Sequence, residues 1–125
     1  MLRSSFASRI SSQILRDLDH PNIVQLFECF RVKRKMWLVM ELCEGGDLTS
    51  RMLTEYQAMK VISQISLALA YMHKRGVCHR DLKLENVMFE SSEAGNLEVK
   101  LIDFGLSEKY NRNEKMTKAC GTVVS

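Results

Sequence analysis

His79-Arg80-Asp81-Leu82-Lys83-Leu84-Glu85-Asn86 and Leu97-Glu98-Val99-Lys100-Leu101-Ile102-Asp103-Phe104-Gly105 are the two stretches on which the reading of this chain turns. The first gathers a histidine, an aspartate, a lysine and an asparagine in one short polar loop. The second alternates Leu97, Val99 and Leu101 with Glu98 and Lys100, the period of a half-buried strand, and runs straight into an aspartate and a glycine. Upstream of the first loop, Thr54 with Gln57 three residues later makes a capping box. Ala58, Val61, Ile62, Ile65, Leu69 and Met72 then trace the apolar face of a long helix whose Met and Leu residues are core, and Gly76 ends it. Between the two loops, residues 87–89 read as a short strand and residues 90–96 as a connecting loop. Before the long helix, apolar runs at 23–30 and 36–42 flank the polar stretch 31–35 and predict a strand hairpin, with 36–40 suited to a buried strand. Asp19-His20-Pro21-Asn22 is a turn, and Ile10, Ile14, Leu15 and Leu18 place a helix ahead of it. Helix, strand pair, helix and short strands around polar loops predict an α+β domain.

The whole-chain numbers narrow the functions. A chain of 125 residues makes one small domain. With 46% hydrophobic and 26% charged residues it reads as soluble and globular. Its net charge of +3 comes from intermixed charges, with no basic stripe interleaved with aromatics, so no nucleic-acid partner is expected. No apolar run approaches the roughly 20 residues that span a bilayer. Cys29, Cys43, Cys78 and Cys120 show no C-x-x-C spacing, which argues against zinc and points to a reducing, cytoplasmic setting. The first thirteen residues, with Arg3, Arg9, five serines and no acid, have the composition of a transit peptide, but the helical spacing is the better reading.

The residue types in the two loops suit phosphoryl transfer, which needs an acceptor for the attacking hydroxyl's proton and oxygen ligands that hold magnesium on nucleotide phosphates. Asp81 can accept that proton, Asn86 and Asp103 offer hard oxygens, and Lys83 can steady charge on the transferred group. In order and spacing the loops resemble the protein-kinase signature H-R-D-L-x-x-x-N followed by D-F-G, and the likeness extends over residues 11–125. Lys83 resembles the serine/threonine branch, and Leu84 stands where that family usually has proline. The resemblance implies a kinase-like fold in three parts: a small-lobe remnant (1–40), a hinge (41–47) and the first part of a large lobe (48–125). It implies ATP and Mg2+ as cofactors and a protein bearing Ser or Thr as substrate. Met40 then resembles the gatekeeper, Glu41 and Cys43 the adenine-binding hinge, Asp47 an acid that contacts ribose or substrate, Glu85 a cofactor-binding position, and Met88 the floor under the base. Leu15, Leu26, His79 and Phe104 resemble the apolar spine that links the lobes. Residues 103–125 resemble an activation loop, with Thr122 near the catalytic residues. The hinge and D-F-G wording is similar to calcium/calmodulin-regulated and calcium-dependent kinases.

The departures are as specific as the matches. There is no G-x-G-x-x-G loop and no V-A-I-K lysine, and the helix glutamate that pairs with that lysine falls at Ser11. The chain stops before A-P-E. Between Gly46 and Glu55 it is about five residues shorter than the resemblance leads one to expect, which truncates the helix after the hinge. Lys118 stands where many kinases carry a phosphothreonine, leaving Thr117 or the fixed charge of Glu114 as substitutes. Two functions remain: an incomplete copy of an active serine/threonine kinase, or a truncated pseudokinase acting as scaffold or decoy. Either implies a regulatory partner or a missing lobe, and an exposed apolar face on the long helix.

Overall fold

The computed structural model describes residues 2–5, 9–79, 82–102 and 108–109, with only the backbone path given for 2–5, 9–12 and 108–109. In chain order the elements are β1 (Leu2–Ser5), α1 (Arg9–Arg16), β2 (Leu26–Val32), β3 (Lys35–Met40), α2 (Glu55–Lys74), β4 (Val77–Cys78), β5 (Val87–Phe89), β6 (Val99–Leu101) and β7 (Glu108–Lys109). Single 3-10 turns lie at Leu48–Ser50 and Leu84–Asn86. The mixture is α+β, as expected.

The expected hairpin is β2 and β3, antiparallel through Val32 opposite Lys35. Its strands run further into the polar stretch than residue type suggests, and the reversal is made by Lys33 and Arg34 with Lys33 at φ 58°. A bulge between Leu26 and Glu28 shifts the register. Strand β3 is half-buried, not fully so: only Leu38 and Met40 reach the core. The sequence reading missed β1, which pairs with β3 from Leu2 opposite Val39 to Ser5 opposite Met36, giving a sheet in the order β1-β3-β2. A serine-rich tetrapeptide has little strand character of its own; the open edge of β3 supplies it. The helical reading therefore holds only from Arg9 onward, and Ile14, Leu15 and Leu18 bury as their spacing predicts.

Helix α2 starts as read. The Thr54 hydroxyl accepts from the Gln57 N–H while the Gln57 side chain accepts from the Thr54 N–H, closing the box. Gly76, at φ 73°, supplies the left-handed residue that ends it. One face buries Val61, Ala68 and Met72 against β4 and β6. Ile62 is 60% exposed, in keeping with the uncovered apolar face expected there, and Met59 and Leu67, read as core, are exposed by 60% or more as well.

A single apolar cluster joins α1, the hairpin, α2 and the β5–β6 pair, with Phe89, Ala68 and Met72 fully enclosed. Segment 22–24 stitches the two halves together: the Leu101 N–H donates to Asn22 O (2.8 Å), and the Val24 N–H to Leu101 O (3.0 Å). The buried Asn22 amide donates to Val99 O and to Gln64 Oε1 on α2. In turn the Gln64 amide donates to Leu97 O, and its Oε1 accepts from the Val99 N–H. Gln64 thus satisfies the strand edge that a longer neighbour would otherwise cover.

Candidate functional site

Two loops and the link after β3 converge on strands β5 and β6. Residue 86 closes the 3-10 turn after the first loop, with its N–H donating to Lys83 O (3.0 Å). Its carbonyl accepts from the Ile102 N–H at 2.9 Å, one residue before Asp103. Two residues before Asp81, the His79 ring is buried with Nε2 2.9 Å from Ile102 O. Both polar groups of the Ile102 backbone are therefore held by the first loop, one by His79 and the other by Asn86. That pair of bonds fixes the separation of the two loops without using any side chain of the residues expected to do chemistry. Asn86 is itself 4% exposed, as befits an amide held by a short turn, and Lys83 sits at the cap of the same turn. Arg80, Asp81, Asp103, Phe104 and residues 110–125, with Glu114, Thr117, Lys118 and Thr122, lie outside the described residues.

The link after β3 lies alongside. Met40 ends β3 in the core, and the Glu41 N–H donates to Gln25 O. From Glu44 the chain runs antiparallel to β5: the Glu44 N–H donates to Glu90 O, the Gly45 N–H to Phe89 O, and the Phe89 N–H to Gly46 O at 2.8 Å. Asp47 and Met88 form a bridge across this pair. A Cβ at Gly45 would sit against Ser91 O and Phe89 Cβ, so only glycine permits the approach. The link thus runs along β5, with Asp47 opposite Met88. The Asp47 carboxylate is engaged locally, with Oδ1 accepting from the N–H and hydroxyl of Thr49, and Glu85 is exposed in the 3-10 turn. The helix expected to be cut short after the link is the three-residue turn Leu48–Ser50.

Electrostatics add two features. Burial, and then the charge of Glu41, push the Cys43 thiol up, so it stays protonated at neutral pH. Behind the link, Lys100 is buried, and its ammonium donates to Pro21 O (3.0 Å) and pairs with Glu41 Oε1 (2.8 Å). The alternation in β6 is broken at this point: all three strand residues are buried, because Lys100 finds an acid and a carbonyl instead of water. These groups, with Asp19, His20 and Gln25, line a cavity of about 260 Å³.

Sequence reasoning missed Arg51. Its guanidinium stacks 3.9 Å over the Phe89 ring. It donates to Ser91 O (2.5 Å), Asn96 O (3.1 Å), Gly45 O and Glu93 O. An arginine before a helix carries no sequence signal of this role; the four carbonyls meet only after the loop 90–96 folds back.

Leu15 and Leu26 share the core cluster and His79 is buried, while Phe104, the fourth residue of the expected spine, lies outside the described residues. Fold and loop geometry together define a protein kinase domain, and residues 8–124 match the family model of that name: the chain belongs to the protein kinase domain family. Among its relatives are calcium-dependent protein kinase 5 of Plasmodium berghei (37% identical over 87% of this chain and 20% of that protein) and calcium-dependent protein kinase 6 of the same organism (40% over 89% and 8%). A probable myosin light chain kinase of Dictyostelium discoideum is 39% identical over 88% of this chain and 29% of its own length. The chain thus spans less than a third of each of these relatives. Kinases of this family generally use ATP and Mg2+. Among the described residues no cluster of three or more His, Cys, Asp or Glu side chains could hold a metal alone. No helix among the described residues is long and apolar enough to cross a membrane.

Proposed function

We propose that the chain carries the catalytic half of a serine/threonine protein kinase, moving the γ-phosphoryl group of ATP to a protein hydroxyl. In this reading residues 1–40 are the small-lobe part, 41–47 the hinge, and 48–125 the large-lobe part. Asp81 takes the hydroxyl proton and Lys83 steadies the phosphoryl oxygens. Backbone groups of Glu41 and Cys43 hold adenine behind Met40 and above Met88, with Asp47 and Glu85 beside the ribose. Mg2+, when bound between Asn86, Asp103 and the phosphates, would neutralise their charge. The observation that carries this reading is the pair of bonds that clamps Ile102 between His79 and Asn86. It supports a fixed distance between base and metal loops, which positioning catalysis requires.

A second reading, a non-catalytic module acting as scaffold or decoy, draws on α1. That helix reads Arg-Ile-Ser-Ser-Gln-Ile-Leu-Arg, with Ser11 and no carboxylate to pair a phosphate-binding lysine. A transplant separates the two. The matching residues of the Plasmodium berghei calcium-dependent protein kinase 5 are replaced by this chain's residues 12–125, keeping that protein's own helix glutamate and remaining domain. The catalytic reading predicts phosphate transfer to Ser/Thr peptides that Asp81→Ala lowers by at least about 100-fold. A folded chimera without transfer would leave only the scaffold.

A further inference from the structure

Charge is intermixed along most of the chain, but the tip of the β2–β3 hairpin is an exception. Arg31, Lys33, Arg34 and Lys35 fall within five residues. All four are exposed, and none forms an ion pair among the described residues. Residues 26–40 set these four against one acid, Glu28, a surplus equal to the +3 of the whole chain. The turn is also made the harder way. Lys33 takes φ 58°, a left-handed conformation that glycine or asparagine enters more readily, so a cation stands where a neutral residue would fit better. Beside the cations lies an apolar patch. Leu38 and Met40 turn one face of β3 to the core, so Trp37 belongs to the opposite face. Phe30 stands opposite Trp37, and Val32 opposite Lys35, which places Phe30, Val32 and Trp37 together on the outside of the hairpin, next to the tip. Phe30 is 39% and Val32 47% exposed, and Trp37 is half-buried.

We propose that this tip docks on an anionic lipid surface, with Arg31, Lys33, Arg34 and Lys35 at the headgroups and Phe30, Val32 and Trp37 at the boundary with the acyl chains. Shape decides between anionic partners. A two-residue turn between strands is convex: it forms no channel that would track a nucleic-acid strand and no concave pocket that would seat a peptide side chain. A flat bilayer asks for neither. It combines negative charge, which attracts clustered Lys and Arg, with an interface that tryptophan and other aromatics favour. Docking that rests on surface charge is reversible and sensitive to salt.

The chain supplies its own probe, because Trp37 is its single tryptophan. The full chain is titrated with vesicles of phosphatidylcholine and phosphatidylserine, about two to one, and with vesicles of phosphatidylcholine alone. Leu67→Glu is present throughout, so that the open face of α2 does not itself adhere to lipid. The mixed vesicles should shift Trp37 emission to the blue, and brominated acyl chains in them should quench it. Neutral vesicles should do neither, and high salt should reverse both effects. Each cation near such a surface contributes about five-fold, so Lys33→Gln with Arg34→Gln should weaken binding about 25-fold. Lys33→Gly should weaken it about five-fold while easing the turn, with a urea midpoint no lower than before, so that loss of binding cannot be a loss of folding. Trp37 emission indifferent to phosphatidylserine overturns the proposal. So does equal binding to neutral vesicles, or binding that survives the double glutamine change. An oligonucleotide or an acidic peptide that binds more tightly than the vesicles, and is lost with the same variants, overturns it in favour of that partner.

Discussion

Arg51 holds together what the backbone alone would leave apart. Its guanidinium satisfies carbonyls from Gly45, Ser91, Glu93 and Asn96 while stacking on Phe89. Lysine offers one point charge where this site uses a planar fork. Arg51→Lys should cost about 1.5–3 kcal/mol, read as a lower urea midpoint; an unchanged midpoint would remove the clamp from the account. The Lys100–Glu41 pair predicts an asymmetry. Glu41→Ala leaves a buried ammonium with Pro21 O alone and should cost about 2–3 kcal/mol. Lys100→Met should cost less, because the Glu41 side chain reaches solvent at 26% exposure. Equal losses would contradict that order. His20 accepts at Nδ1 from the Asn22 N–H (3.0 Å), and desolvation, the leading cause, lowers its pKa against the opposing pull of Asp19. The unfolded chain then binds the proton more readily, so this contribution is present above the ordinary histidine value near 6.5. It fades as pH falls through the folded value. His20→Asn keeps an acceptor without titrating, and its urea midpoint should fall less than the wild type's between neutral and mildly acid pH.

At the scale of elements, legibility followed the range of the forces involved. Helix α2 was readable at both ends because its cap is local: Thr54 and Gln57 satisfy one another, and Gly76 takes the left-handed turn. Thr54→Ala should accordingly cost about 1 kcal/mol, measured by thermal unfolding, with Gln57→Ala costing less. Strands β5 and β6 were readable from their apolar residues, and α1 from Ile14, Leu15 and Leu18. What stayed hidden depends on partners distant in sequence. β1 is a strand because β3 offers an edge, and Lys100 is buried because Glu41 and Pro21 lie across from it. On the outer face of α2 the open Ile62 was expected, while Met59 and Leu67 were read as core because periodicity marks which residues are apolar, not which of them something covers. Of the site, the motif loops were legible by residue type and spacing. The bonds that join them through Ile102 were not, since Ile102 enters both through its backbone, and of their partners only His79 uses a side chain.

For the whole molecule, two consequences follow from one apolar face and two absent motifs. The outward side chains of α2 should make the chain associate or precipitate, and Leu67→Glu should raise the soluble fraction without changing the helical far-ultraviolet signal. No residue of the 125 belongs to a G-x-G-x-x-G loop or a V-A-I-K strand. In the proposed reading the 125-residue chain by itself lacks those phosphate contacts, so phosphate transfer by the isolated chain should stay near background. The family membership is independent of that rate. What the account does require is that link and loops form a single nucleotide site. The most direct test is equilibrium dialysis of labelled ATP against the Leu67→Glu chain, with and without Mg2+, and with Asp103→Ala added. Saturable binding that needs Mg2+ and weakens at least about 10-fold on Asp103→Ala is the predicted result. Failure to bind, or binding indifferent to both Mg2+ and Asp103, would contradict it.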